Sequence, residues 1–225
     1  MIKVLFALII AAALGYLLGS LNFSIIVVQL VRGKDIRTMG SRNAGLTNTY
    51  RCCGPACAGL TLLGDLLKGV VAVALARVIA GWLKVGFVPD NDVHYIGYIA
   101  GLFAILGHVF PLYYGFKGGK GVLVGAAAFL AIDWRVFVAL IAIFIVVLAL
   151  SKYVSLSSIM ATAYGPIAVF LMSFIVNGNS FGRSFIYLLL SLPMAAMIIW
   201  MHRSNIERLR NNTETKFSFS SKFAD

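Results

Sequence analysis

A run of glycines around one lysine, Gly118-Gly119-Lys120-Gly121, has the residue types and spacing needed to bind a phosphate group. Glycine adopts positive φ at little cost, so such a run lets backbone N–H groups turn toward an anion. Lys120 adds a full charge, and a helix beginning just after the loop would add the partial charge of its N-terminus. The alternative is a plain turn between two apolar segments. The segment is not a Walker A loop, which needs glycine, four residues and then Gly-Lys-Ser/Thr.

A second polar segment, GSRNAGLTNTYR at residues 40–51, combines hydroxyl, amide and guanidinium groups within twelve residues. These groups recognise anions and hydroxyls through charge-assisted hydrogen bonds. Ser, Thr and Asn also cap helices, so the alternative is a capping loop. Because capping uses one or two side chains and this segment offers six hydroxyl and amide side chains, counting Tyr50, the composition favours ligand binding.

The elements that must position these segments are membrane helices. The chain has 225 residues, of which 60% are hydrophobic and 12% charged, against about 25% charged in soluble proteins. This composition excludes a disordered chain, a disulfide scaffold and an ordinary cytosolic domain. The net charge of +11 fits anionic lipid head groups and phosphorylated metabolites, and in so apolar a chain it argues against a nucleic-acid partner.

The apolar runs predict an all-α polytopic bundle with seven transmembrane helices in a single domain, 1–225. The expected spans lie at about 4–31, 57–81, 94–114, 156–176 and 184–201, with two short ones inside 122–150. A chain reversal at Asp133-Trp134-Arg135 puts 13 Lys and Arg on the inner side and 4 on the outer side. By the positive-inside rule, we therefore expect the N-terminus outside and the C-terminus in the cytoplasm. All the polar segments then face the cytoplasm.

Several polar residues within or beside the spans need an explanation. Asp65 and Lys68 lie three residues apart on a helix and can pair, either supporting the site or neutralising each other inside the membrane. His108 lies about two turns before the glycine loop, and His202 opens the basic tail. The sequence contains no readable Ser–His–Asp set or metal cluster. The three cysteines, Cys52, Cys53 and Cys57, are expected to be reduced and to act as small apolar filler.

Taken together, these segments resemble the bacterial membrane family that transfers an acyl group from acyl phosphate to glycerol 3-phosphate, the PlsY family. The matching stretches run in family order and cover nearly the whole chain: GSLNFS (19–24), GSRNAGLTNTYR (40–51), LLGDLLKG (62–69), GHVFPLYYGFKGGKGV (107–122), YVSLSSI (153–159) and HRSNIERLRNNTETK (202–216). The sequence departs from the family at four positions. Members usually have glycine in place of Arg42 and Asn212, alanine in place of Leu46, and proline in place of Asn22.

The resemblance implies synthesis of lysophosphatidic acid in the bacterial cytoplasmic (inner) membrane, with the active site facing the cytoplasm. It implies catalytic roles for Ser41, His108 and Lys120. The glycine loop (Gly118, Gly119, Lys120, Gly121) would hold the acyl-phosphate head, while the acyl chain lies among the spans. The remaining substrate-binding candidates are Ser41, Asn43, Thr47, Asn48, Arg51, Ser158, His202 and Asn205. The general base is left open between His108, His202 and the leaving phosphate.

No cofactor, metal or oligomer is expected to be required. The rival function is a transporter or flippase for an organic phosphate. It is disfavoured because alternating access needs a site near the bilayer midplane, whereas every polar cluster predicted here lies on one face.

Overall fold

In a computed structural model, residues 2–85 and 93–217 are described, and helices account for most of them. The helices are α1 (Ile2–Gly19), α2 (Phe23–Arg32), α3 (Leu46–Trp82), α4 (His94–Val109), α5 (Val122–Ile132), α6 (Trp134–Ser151), α7 (Val154–Leu171), α8 (Phe181–Met201) and α9 (Arg203–Arg210). Short 3-10 turns cover Ile36–Thr38 and Leu112–Tyr114, and a π-helical turn at Met172–Val176 follows α7.

Five helical segments in the described part of the chain are long and apolar enough to cross a membrane: Ile2–Arg32, His94–Tyr114, Trp134–Ser151, Val154–Val176 and Phe181–Met201. The predicted second span lies within α3, and the predicted fourth span is the short helix α5, of 11 residues. The predicted fifth span was expected to be short as well. That expectation is wrong, because α6 has 18 residues and is long enough to cross a bilayer.

The predicted interruption after the fourth span is confirmed as a helix break. Asp133 separates α5 from α6 and caps the new helix, accepting a hydrogen bond from the backbone N–H of Arg135 at 3.0 Å. A side-chain oxygen at this position satisfies an N–H group that has no partner within its own helix. A second break divides the predicted first span. Asn22 caps α2 by accepting from the backbone N–H of Ile25 at 3.1 Å.

Helix α3 is kinked near its start, at Gly54 and Pro55. Gly54 has φ +84, and Pro55 lacks the N–H that a continuous helix would use. Cys53 and Cys57 form a disulfide across one helical turn, whereas Cys52 is buried and free. The expectation that all three cysteines are reduced is therefore wrong for this pair. Residues four apart on a helix share one face, which brings the two sulfurs together.

The chain divides into two compact units, one within Met1–Ala128 and the other within Phe129–Phe219. In unit 1, α1 packs against α3 and α4. A side chain at Gly19 would collide with the backbone of Ala104, so the close approach of α1 and α4 depends on this glycine. In unit 2, α7 packs against α6 and α8, while α9 packs against α7 and α8.

Candidate active site

A buried group of three titratable residues lies between α3 and α4 of unit 1. The Nζ atom of Lys68 is 2.7 Å from Oδ1 of Asp65 and 2.9 Å from Nδ1 of His108. It also donates to the backbone carbonyl of Leu21 at 2.7 Å. All three side chains are at least nine-tenths buried. The predicted pairing of Asp65 with Lys68 is confirmed, and the pair also holds His108, 40 residues further along the chain.

The glycine loop folds back onto the end of α4. The backbone N–H groups of Gly118 and Gly119 donate to the carbonyls of Val109 and His108, at 3.0 and 3.1 Å. These two amides therefore already have partners. The expectation that all the loop amides hold a phosphate changes accordingly, since the fold uses two of them to set the shape of the loop. A helix does begin just after the loop, as expected: Gly121 has φ +83 and α5 starts at Val122.

Gly119 lies where three parts of unit 1 meet. A Cβ atom at this position would collide with Nε2 of His108 and with the carbonyl oxygen of Ala44. The glycine loop, the end of α4 and the 40–51 segment are therefore in close contact at Gly119. Lys120, the next residue, is partly buried. Gly119 contributes space beside His108, and its own N–H is used by the loop.

Asn48 organises the 40–51 segment. Its Oδ1 accepts from the backbone N–H of Ser41 at 2.9 Å. Its Nδ2 donates to the carbonyls of Met39 at 3.0 Å and Asn43 at 3.1 Å. Because Asn48 is buried while Ser41 is exposed, a residue on the first turn of α3 fixes the backbone that carries the serine hydroxyl. The other expected binding residues here, Asn43, Thr47 and Arg51, are partly buried.

Arg37, which the sequence analysis did not single out, links this region to the segment that leads into the glycine loop. Its guanidinium donates to both carboxylate oxygens of Asp35 and to the carbonyls of Tyr114, at 2.6 Å, and Lys117, at 3.0 Å. The hydrogen bond from Arg37 holds the pKa of Asp35 below its usual value. A signal was available in the sequence, because Asp35 and Arg37 lie two residues apart in an otherwise basic loop.

Two departures from the family pattern fall on left-handed backbone. Arg42 has φ +59 and Asn212 has φ +55. Glycine adopts this conformation without strain, which gives a physical reason for the expectation of glycine at both positions. Asparagine tolerates the conformation better than arginine because its short side chain can hydrogen-bond locally. Arg42 is therefore the more strained of the two.

The predicted binding residues of unit 2 include three side chains with hydrogen bonds inside that unit. Ser158 Oγ donates to the carbonyl of Val154 at 2.9 Å, and Nδ1 of His202 lies 2.8 Å from the carbonyl oxygen of Ile198. A carbonyl oxygen can only accept, so Nδ1 of His202 carries a proton. Asn205 Nδ2 donates to Oε1 of Glu214 at 2.7 Å. Each of these three side chains is buried.

Glu214 joins the non-helical tail after α9 to the helices of unit 2, and the sequence analysis missed it. Its carboxylate accepts from the hydroxyl of Ser155, Nδ2 of Asn205 and Nε of Arg208, each at 2.7 Å. Burial raises the pKa of Glu214, but these hydrogen bonds and the charge of Arg208 outweigh it, so the pKa lies below its usual value. The available signal was a lone carboxylate four residues after Arg210, the last residue of the basic helix α9.

Comparison with known proteins identifies what this chain is similar to. The family profile described as glycerol-3-phosphate acyltransferase matches residues 9–212. The glycerol-3-phosphate acyltransferase of Clostridioides difficile (strain 630) is 39% identical over 212 residues, covering 94% of this chain and 96% of that protein. The enzyme of the same name from Bacillus subtilis (strain 168) is 38% identical over 204 residues, covering 90% and 94%.

Two solved structures match the fold over nearly the whole chain. The crystal structure of PlsY (YgiH), an integral membrane glycerol 3-phosphate acyltransferase, in its glycerol 3-phosphate form has a TM-score of 0.73 and 32% sequence identity, covering 96% of both chains. The lysophosphatidic acid form of that protein also has a TM-score of 0.73, at 30% identity.

Proposed function

The chain belongs to the glycerol-3-phosphate acyltransferase family, and on that premise we propose that it transfers a fatty acyl group from acyl phosphate to glycerol 3-phosphate. The products are lysophosphatidic acid and inorganic phosphate. The relatives are acyltransferases by name, and the matching structures are titled as an integral membrane enzyme with glycerol 3-phosphate or lysophosphatidic acid.

One observation carries the choice of donor. Lys120 lies in a glycine loop directly before the N-terminus of α5, and the loop is pinned to α4 through the amides of Gly118 and Gly119. A lysine charge beside a helix N-terminus favours a bound phosphate. Acyl phosphate brings such a group to the reacting carbonyl. A loop of this kind therefore suits the donor at the place where its leaving group develops charge.

The proposed reaction needs positioning and charge stabilisation more than a covalent nucleophile on the protein. A hydroxyl oxygen of glycerol 3-phosphate attacks the carbonyl carbon of the mixed anhydride. The new ester C–O bond forms, the C–O bond to phosphate breaks, and the phosphate leaves. We propose that the hydroxyl proton departs on this phosphate, which has basic oxygens at the right place. Lys120 offsets the charge that the phosphate gains.

The other predicted residues keep their proposed roles within each unit. In unit 1, Ser41 and Arg51 contact the phosphate or a hydroxyl of the acceptor, while Asn43, Thr47 and Asn48 orient the segment that carries Ser41. The hydrogen bonds of Asn48 support that role. In unit 2, we keep Ser158, His202 and Asn205 as candidate contacts to glycerol 3-phosphate.

The proposed membrane arrangement has seven spans, with the N-terminus outside, the C-terminus in the cytoplasm and the site on the cytoplasmic side of the bacterial inner membrane. The helix break at Asp133 supports a reversal at that point. A cysteine at Trp134, in a chain whose own cysteines are replaced, should react with a membrane-impermeant reagent from the outer side. Reaction from the cytoplasmic side alone would contradict the seven-span arrangement.

The identity of the acyl donor is tested with the purified chain in detergent and labelled glycerol 3-phosphate. We expect labelled lysolipid when acyl phosphate is supplied, and none above background with acyl-CoA or acyl carrier protein of the same chain length. Protein heated until inactive is the control for non-enzymatic acylation by the reactive donor. Full turnover with acyl-CoA or acyl carrier protein alone would overturn the assignment of acyl phosphate.

A further inference from the structure

The contacts of Lys68 determine which nitrogen of His108 carries a proton. A protonated lysine has three N–H donors, and Nζ of Lys68 has three close neighbours: Asp65 Oδ1, the carbonyl oxygen of Leu21 and Nδ1 of His108. The carbonyl can only accept, and an ionised carboxylate can only accept. The third neighbour, Nδ1 of His108, accepts if Lys68 is charged and donates if Lys68 is neutral.

The ionised state of the Asp65 carboxylate determines which of these two arrangements of Lys68 and His108 holds. Asp65 and Lys68 have side chains that are each 2% exposed, and their charged atoms are 2.7 Å apart. An ionised carboxylate buried this deeply needs a compensating charge. Nζ of Lys68, at 2.7 Å from Oδ1 of Asp65, is much nearer to it than Nδ1 of His108, at 3.8 Å, so the ammonium is the favoured partner. With Asp65 negative, Lys68 positive and His108 neutral, the buried set has no net charge. Lys68 then donates its third proton to Nδ1, which leaves the histidine proton on Nε2.

The second nitrogen of His108 faces the glycine loop. A side-chain carbon at Gly119 would collide both with Nε2 of His108 and with the carbonyl oxygen of Ala44, so Nε2 lies directly over that glycine. The loop is also anchored to His108 itself, because the N–H of Gly119 donates to the His108 carbonyl at 3.1 Å. The imidazole N–H and the position of Lys120 are therefore fixed by the same short stretch of backbone.

We propose that His108 acts in acyl transfer as a neutral hydrogen-bond donor through Nε2, and that Asp65 and Lys68 are positioning residues that keep it in this tautomer. The assignment rests on the proposed function, because the group that receives the hydrogen bond is an oxygen of the acyl-phosphate donor. It removes His108 from the possible general bases, since its unprotonated nitrogen faces an ammonium inside the protein. His202 has the opposite arrangement, with its proton on Nδ1 facing Ile198.

The tautomer is measured directly by nitrogen NMR of the purified full-length chain labelled with ¹⁵N-histidine. The resonances of His108 are assigned by their loss in H108Q, with H94Q and H202Q identifying the other two histidines. We expect Nε2 of His108 to be protonated and Nδ1 to be unprotonated at neutral pH. A proton on Nδ1, or a doubly protonated ring, would overturn the proposal. This result does not depend on turnover, so it stands or falls separately from the proposed function.

A kinetic comparison tests whether the hydrogen bond donated by Nε2 of His108 contributes to acyl transfer. Glutamine can place an amide N–H near the position of Nε2 but cannot act as a base, whereas phenylalanine keeps the ring shape without the donor. We expect H108F to lose about 10- to 150-fold in kcat, the size of one lost hydrogen bond to a charged group. We expect H108Q to recover most of that loss and to leave the KM for glycerol 3-phosphate little changed.

All variants are assayed at equal amounts of monodisperse protein. The results distinguish a hydrogen-bond donor, a general base and a purely structural residue at position 108. H108Q as inactive as H108F would contradict a donor role and return His108 to the candidate bases. Normal activity in H108F would show that His108 is structural. The matched control is H94Q, at the other end of α4, which should keep wild-type turnover. An inactive wild-type chain would count against the proposed function, while the NMR experiment would still test the tautomer.

Discussion

Unit 1 and unit 2 each contain a carboxylate paired with a cationic side chain, but they build this contact differently. In unit 1, Asp65 and Lys68 lie on one long helix and meet His108 on another, with almost complete exclusion of solvent. In unit 2, Glu214 lies in a non-helical tail, and its partner Arg208 has a side chain that is 45% exposed. The first arrangement depends on helix packing, whereas the second depends on a tail staying in place.

This difference determines how strongly the removal of one charge should affect each carboxylate group. Removing one charge from a buried pair leaves its partner unpaired in a medium that solvates it poorly. Removing the charge of Glu214 leaves Arg208, whose side chain is 45% exposed and can be solvated by water. The polar group of unit 1 should therefore control folding and the shape of the glycine loop, and that of unit 2 should control the docking of the tail.

The largest expected effect comes from breaking the buried pair. Lys68→Met leaves Asp65 without its counter-charge and should destabilise the chain by about 3–5 kcal/mol. The matched variant, Asp65→Asn with Lys68→Met, removes both charges and should recover a large part of the lost stability. Thermal unfolding of the purified proteins in one detergent measures both. A single variant as stable as the wild type would show that the charges of unit 1 are not coupled as described.

A smaller, local effect is expected in unit 2. Glu214→Gln removes the negative charge that faces Arg208, and because the Arg208 side chain is 45% exposed, the loss should be about 1 kcal/mol or less. Hydrogen exchange at residues 213–217 should become faster, while exchange in α4 stays unchanged. Glu207→Gln is the control, because Glu207 is exposed on α9. Faster exchange throughout both units would mean that the tail supports more than its own docking.

The same carboxylate gives unit 2 a dependence on pH. Because the pKa of Glu214 is lowered in the folded chain, its contribution to docking is fully present above the ordinary value of 4.5 and is lost as the pH falls through the lowered value. The exchange rate of the tail amides, divided by the intrinsic rate of unprotected amides at the same pH, should therefore be steady near neutral pH and increase in acid. In Glu214→Gln this acid acceleration should be absent. An equal acid response in the variant would assign it to another group.

The smallest expected effect concerns backbone strain beside Ser41. Arg42→Gly places glycine at φ +59, which relieves strain but adds freedom to the unfolded chain. The net change in stability should lie between about 0 and 1 kcal/mol in favour of the variant, with little change in turnover. Thermal unfolding and the acyl-transfer assay measure the two. A large loss of activity would mean that the Arg42 side chain itself contributes to binding.

The contrast between the units also explains which features the sequence could predict. Local relations were readable: Asp65 and Lys68 lie on one helix face, and Asp133 has the residue type of a helix cap. Contacts that depend on the packing of distant segments were not. Lys68 meets His108 across 40 residues, and Glu214 meets Ser155 across 59. The glycines predicted a loop whose backbone N–H groups turn toward an anion, but only the fold shows that two of these amides donate to carbonyls of α4.

The central claim is that the glycine loop of unit 1 holds the phosphate of the donor through Lys120. Lys117 is the matched control, because it is exposed and offers its backbone carbonyl to Arg37, a contact that a side-chain change preserves. Both variants are compared with the wild type in the assay with acyl phosphate and labelled glycerol 3-phosphate, at equal amounts of monodisperse protein. Their unfolding temperatures should differ little from that of the wild type.

Lys120→Ala removes a charge-assisted contact of about 1.5–3 kcal/mol, which corresponds to a loss of about 10- to 150-fold in kcat/KM for the donor. Lys117→Ala should stay within about threefold of the wild type, as expected for a solvated surface charge. Near-normal activity in Lys120→Ala together with an inactive Lys117→Ala would contradict the phosphate site proposed for this loop.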